Sequence, residues 1–295
     1  AVRASRLLES GRLASYGGQV YRAATARTEQ NLAWAVCRML RCAGTESSVG
    51  IDTEIAAEEK RQGIQLAAEQ RQAVMTALTS PLSVITGGPG TGKTLIQRFL
   101  LDIYRRRKRG AKIICCAPTG RAARRMEQST GFPATTIHKA LGLLAGEDGG
   151  YCAPEMLDAD LIVVDEVSMM DIYLADHLFR SIPHGSQLVL IGDADQLPSV
   201  GPGNVLKDIL TSKAVPSTVL EEVFRAGGNL VLNAHKVNLG EQIDLFSAGD
   251  FVFLPAASAD DTLAQTLAQY MRRIEAGDSM EEVQVICPVK KGTIG

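Results

Sequence analysis

Short, continuous apolar runs recur through the middle of this chain, at Ser83 to Thr86, Ile113 to Cys116, Leu161 to Val164 and Leu188 to Ile191. Runs of this length without alternation fit strands buried on both faces. Between and after them lie segments with apolar residues at helical spacing, at Leu95 to Arg107, Gly120 to Ser129, Asp171 to Arg180, Val205 to Leu210 and Asn229 to Leu239. That alternation predicts an α/β fold, a parallel sheet covered by helices on both faces. In such sheets chemistry gathers at the carboxyl ends of the strands. Upstream, Ile51 to Leu78 reads as two helical pieces separated near Gly63. A further helix, about Thr28 to Cys42, carries Leu32, Ala35, Val36, Met39 and Leu40 on one face, and Trp34 is expected to pack there rather than to serve as a stacking platform. Gln19-Val20-Tyr21 follows a Gly-Gly break with β character, and the small, polar stretch Gly44 to Gly50 reads as a linker. The expected organisation is a small, mainly helical N-terminal segment (1–48), an α/β domain (49–215) and a further portion (216–295).

Composition adds bounds. The chain has 295 residues, 45% hydrophobic and 22% charged, enough for one large domain and additional segments. A formal net charge of −2 gives no global basic field, so any nucleic-acid surface must be local. One local excess runs from Arg105 to Arg125, with nine cations and no acid, and its first part also suits a solvated helix end before Gly110. Six cysteines show no metal-ligand spacing and read as reduced thiols of a cytoplasmic protein, with Cys115 and Cys116 as small buried side chains. There is no signal peptide and no apolar stretch near twenty residues, so no membrane role is expected. The chain begins at Ala1 without an initiator methionine and is expected to be a piece of something longer.

The chemical residues sit where the strand pattern breaks. Gly87-Gly88-Pro89-Gly90-Thr91-Gly92-Lys93-Thr94 fills the pattern G-x-x-x-x-G-K-S/T between a strand and a helix. Such a loop surrounds phosphates with backbone N–H groups, its lysine reaches the β- and γ-phosphates, and its Thr hydroxyl serves Mg²⁺. Leu161 to Val164 ends in Asp165 and Glu166, suited to holding Mg²⁺ and to orienting and deprotonating a water. After the next strand, Gln196 is placed to span a γ-phosphate and the attacking water, while Asp193 and Asp195 read either as metal ligands or as turn formers. Gln70, a short helix before the loop, reads equally as an adenine contact or an ordinary helical glutamine. Arg225 reads from spacing as a partner of Glu221 or Glu222. Thr119, Arg121, Arg124 and Arg125 at a glycine-started helix make a phosphate clamp for a nucleic-acid backbone, to which Thr136 and His138 add a second polar loop. His138 has no ligand-spaced partner and reads as a hydrogen-bonded structural histidine.

Taken together, these blocks resemble superfamily 1 helicases of the 5′→3′ subclass, and most closely the RecD-like family, over about Gly63 to Gly295. GGPGTGKT, APTGRAARRM, TIHKALG, VVDEVSMMD, LIGDADQLPSVGPGNVLKDIL and VFRAGGNLVLNAHKVNLG are similar to its successive motifs. The resemblance implies a RecA-like P-loop NTPase motor domain paired with a second one, with ATP and Mg²⁺ as cofactors. It implies adenine recognition by Gln70, phosphate binding by Lys93, Mg²⁺ coordination through Thr94 and Asp165, water activation by Glu166, γ-phosphate sensing by Gln196 and an arginine finger at Arg225. Thr119, Arg121, Thr136 and His138 fall in blocks lining the single-strand path. Single-stranded DNA, duplex junctions and subunits of a nuclease/helicase complex are the implied partners. Two departures stand out. Ala226 replaces the glutamine often found after the Phe-Arg pair, and VQVICPVKKGTIG resembles only the entry to the second motor domain. The expectation is a fragment that binds Mg-ATP but does not unwind DNA. The rivals are an ATP-gated DNA-binding switch without translocation and a phosphate-loop kinase.

Overall fold

Every residue of the strands Leu82–Gly87, Leu161–Val164 and Gln187–Gly192 is buried, the polar Ser83, Thr86 and Gln187 included, as strands covered on both faces require. The computed structural model describes residues 2–41, 49–143, 154–222, 228–246, 249–287 and 289–294. In chain order the elements are α1 (Val2–Glu9), β1 (Leu13–Tyr16), β2 (Gln19–Arg22), α2 (Ala23–Arg41), α3 (Ile51–Gln62), α4 (Ala68–Thr79), β3 (Leu82–Gly87) and α5 (Lys93–Arg107). There follow β4 (Ile113–Ala117), α6 (Gly120–Thr130), β5 (Ala134–Thr136), α7 (Ile137–Ala140), β6 (Leu161–Val164), α8 (Ile172–Arg180), β7 (Gln187–Gly192), α9 (Val205–Ser212) and β8 (Ser217–Leu220). α10 (Asn229–Leu239) and α11 (Ala259–Glu275) complete the chain. It divides into two compact units, Ala1–Arg225 and Ala226–Gly295.

In the first unit, β1 and β2 form an antiparallel ribbon, and six strands form a parallel sheet in the order β5-β4-β6-β7-β3-β8. Successive strand residues point to opposite faces. Leu82, Val84, Ile162, Val164, Leu188 and Leu190 therefore join one core with α2, α7, α8 and α9. Ile85, Leu161, Val163, Val189 and Ile191 join the other core with α3, α4 and α5. This is the RecA-like P-loop architecture, with the expected helices on both faces.

Several details go beyond the sequence reading. β5 has three half-buried residues and β8 alternates exposed and buried positions, as sheet-edge strands do, so neither shows as an apolar run. β8 pairs with β3 and places 217–220 in the main sheet. α2 buries Leu32, Ala35 and Met39 in the same core as α8, so the N-terminal segment contributes to the motor core. Trp34 corrects an expectation: it is 71% exposed. It sits between two turns of the buried stripe, and a helix turns its neighbours at that spacing away from the face.

The second unit contains α10 and α11. Asn233 is the one buried side chain among its described residues, its amide donating to the Asp244 carbonyl at 2.7 Å and accepting from the Asp244 N–H at 2.9 Å.

Candidate nucleotide and strand sites

The glycine loop leaves β3 at Gly87 and becomes α5 at Lys93. The turn needs glycine at its last step. Gly92 has φ +88°, and a Cβ there would lie 2.4 Å from Gln70 Nε2. Lys93 Nζ donates to the carbonyls of Gly87 and, at 2.8 Å, Gly88. Thr91 Oγ1 donates to Gly88 O at 2.9 Å and closes the loop on itself.

Beyond the loop lies a cavity of about 330 Å³. Its wall includes Pro89, Gly90, Gly92, Lys93 and Thr94 from the loop, Asp165 and Glu166 from the end of β6, and Gln196 after β7. Residues far apart in sequence thus meet at the carboxyl ends of neighbouring strands. Burial lowers the Lys93 pKa, against the raising effect of Asp193, Asp165 and Glu166. Burial and then the Asp165 charge raise that of Glu166, with Lys93 and Arg125 opposing. A carboxylate with a raised pKa is a better proton acceptor from water. Glu166 also has φ +54°, uncommon for a residue with a Cβ. Its N–H donates to Asp165 Oδ1 at 2.9 Å and its carbonyl accepts from Met169 N at 3.1 Å, which fixes this conformation.

Asp193 is 2% exposed and answers the question its spacing left open. Oδ1 accepts the Asp195 N–H at 3.0 Å and Oδ2 accepts Gln196 Nε2 at 3.3 Å, so it is a turn former that holds the side chain of Gln196. Among the described residues no group of three His, Cys, Asp or Glu side chains is placed to hold a metal alone. Thr94 and Asp165 at one wall instead fit an Mg²⁺ ion that takes its remaining ligands from phosphates and water.

Gln70 is buried behind the loop, outside the cavity wall. Its Nε2 donates to Thr91 O at 3.0 Å and its Oε1 accepts the Ala67 N–H at 3.1 Å. Gly87, Gly88 and Thr91 of the loop are likewise not part of the wall and hydrogen-bond within the loop. Arg225 lies outside the described residues.

The strand-path candidates divide. Thr119 and His138 line a second cavity of about 500 Å³ with Pro118, Met169, Tyr173 and His177, whereas Arg121 and Thr136 are not part of its wall. Thr119 Oγ1 caps α6 by accepting the Ala122 N–H at 3.2 Å, and Thr136 Oγ1 caps α7 by accepting that of Lys139 at 3.2 Å. Each hydroxyl keeps its proton for donation. The His138 ring is half-buried and takes no hydrogen-bond partner among the described residues, unlike the bonded ring expected, because it opens onto the cavity. The start of the basic run is structural. Arg105 pairs with Asp102 at 3.1 Å and lies 4.8 Å above the Phe132 ring centroid, Arg106 pairs with Glu58, and Arg107 with Glu54 at 2.8 Å. Cys115 and Cys116 are buried as expected, and burial pushes the Cys115 thiol up to about 12.

An AAA domain family model matches residues 70–202. The chain is 33% identical over 282 residues to the ATP-dependent RecD2 DNA helicase of Deinococcus radiodurans, an alignment covering 94% of this chain and 37% of that protein. It is 29% identical over 267 residues to the RecBCD enzyme subunit RecD of Mycolicibacterium smegmatis, covering 77% of this chain and 48% of that one. With the RecBCD enzyme subunit RecD of Haemophilus influenzae it shares 38% identity over 163 residues, 48% of this chain and 26% of that one. The chain is similar over most of its length to RecD-like superfamily 1 helicases. It spans less than half the length of each of these relatives.

One member of this RecD-like site escaped the sequence reading. Arg125 belongs to the basic block assigned to nucleic acid, yet it lines the nucleotide cavity with Ala122, Met126 and Ser129. The signal was available, since positions 122, 125, 126 and 129 share one helical face. No helix among the described residues is long and apolar enough to cross a membrane.

Proposed function

We propose that the whole protein is an ATP-dependent 5′→3′ helicase that moves along single-stranded DNA and opens duplex junctions, and that this chain supplies its ATP cradle and part of its strand grip. The observation that carries the reading is the convergence of Lys93, Thr94, Asp165, Glu166 and Gln196 on one cavity at the strand ends. The loop N–H groups and Lys93 bind the phosphates, and Glu166 accepts a proton from the attacking water. Gln196, held by Asp193, orients that water against the terminal phosphate. Mg²⁺ held by Thr94 and Asp165 would supply charge neutralisation on the phosphates. Arg225 is assigned the role of arginine finger, a contribution of about 10³–10⁵ in rate where such a residue acts.

Thr119 and His138, facing a common cavity, support a strand grip on the same rim, with Arg121 and Thr136 as flanking contacts. The RecD relatives named as RecBCD subunits support membership of a nuclease/helicase complex. The test is unwinding of 5′- and 3′-tailed duplexes by the full-length protein, with Lys93→Ala and Arg225→Ala variants. Unwinding restricted to the 5′-tailed substrate and lost in both variants is expected. Preference for the 3′ tail, or unwinding that survives Lys93→Ala, contradicts the proposal. The isolated 295-residue chain is expected to bind Mg-ATP, hydrolyse it slowly and leave duplexes intact.

A further inference from the structure

Arg125 differs from the paired arginines of the first unit in what surrounds it, and from Arg98, Arg121 and Arg124, which also form no ion pair among the described residues, in its place at the wall of the nucleotide cavity. Arg61, Arg71, Arg105, Arg106, Arg107 and Arg180 each pair with a carboxylate. Arg125 is exposed, forms no ion pair among the described residues and lines the nucleotide cavity. A charged side chain with no protein partner at the wall of a cavity is available to a ligand of opposite charge. Met126 beside it is buried in the core with α5, which fixes the face that α6 turns to the loop.

The charge count gives the ligand class. The cavity wall carries two cations, Lys93 and Arg125, and two carboxylates, Asp165 and Glu166. Without Arg125 the carboxylates outnumber the remaining cation in a site that must receive a polyanion. The geometry points to Arg125 as a terminal-phosphate contact supplied in cis, the group by which this unit distinguishes a nucleoside triphosphate from a diphosphate. Its position toward that end follows from the wall it shares with Lys93 and Glu166. These two residues flank the place where the terminal phosphate and the attacking water meet. The contact needs no residue from the second unit, and it reassigns Arg125 from the strand grip to the nucleotide.

The inference rests on the ATP reading above, and a binding experiment separates the two. Affinities of the 295-residue chain for Mg-ADP and for a non-hydrolysable Mg-ATP analogue are measured for the wild type, Arg125→Ala, Arg125→Lys and Arg98→Ala, an exposed arginine of α5 outside the cavity wall. Loss of one charge-assisted contact is expected to weaken the triphosphate analogue about 10- to 100-fold in Arg125→Ala, with Mg-ADP changed less than about threefold. Arg125→Lys should recover part of the loss, and Arg98→Ala should match the wild type. An equal loss for both nucleotides, no loss, or the same loss in Arg98→Ala would overturn the inference and leave the ATP site standing. A wild-type chain that binds neither nucleotide overturns both. Thermal unfolding of each variant confirms that the fold is retained.

Discussion

The two units of this chain treat similar apolar material in opposite ways. In the first, Phe99, Leu100, Ile85 and Leu190 vanish into two cores on either side of a six-stranded sheet. In the second, Leu230, Leu239, Phe246, Leu263, Leu267 and Met271 remain exposed, and α11 has no buried residue. A sheet gives its helices two broad faces to cover, while a helix with a polar and an apolar stripe buries nothing until something packs against it. The difference separates where stability resides from where further packing can occur. Every described residue of the nucleotide cavity lies in the first unit.

Substitutions graded by burial sharpen this contrast. Phe99→Ala removes a fully buried ring from the core between α5 and the sheet and should cost about 3–5 kcal/mol in urea unfolding. Gly92→Ala meets both a left-handed backbone and the Gln70 amide, and should cost about 1–3 kcal/mol together with a clear loss of nucleotide binding. Thr119→Ala removes the cap of α6 and should cost about 1 kcal/mol by the same measurement. Leu267→Ala, at a position 53% exposed on α11, should fall within about 0.5 kcal/mol of the parent. A cost for Leu267→Ala close to that for Phe99→Ala would break the contrast, since it would mean that the apolar face of α11 is covered in solution.

How much of this was legible in the sequence follows from the kind of signal each feature leaves. Strands buried on both faces leave continuous apolar runs, so β3, β4, β6 and β7 could be read directly. Edge strands leave alternating or polar patterns, so β5 and β8 could not. The place of Lys93, Asp165 and Glu166 at the strand ends was readable because the loop and the strand-end acids each have a fixed local form. Asp193 and Arg125 were not, because a buried turn carboxylate and a helical arginine have the same local spacing whatever they face. Only the meeting of α6 with the loop decides that Arg125 belongs to the nucleotide cavity. Trp34 shows the same limit from the other side, where nearness to an apolar stripe in sequence gave the wrong face.

The central claim is that the first unit holds a working nucleotide cradle built on Lys93. Calorimetric titration of the 295-residue chain with Mg-ATP, beside Lys93→Ala, tests it most directly. Saturable one-to-one binding that disappears in Lys93→Ala, with unchanged thermal unfolding, is the predicted result. Absence of binding by the parent chain, or equal binding by the variant, would contradict it.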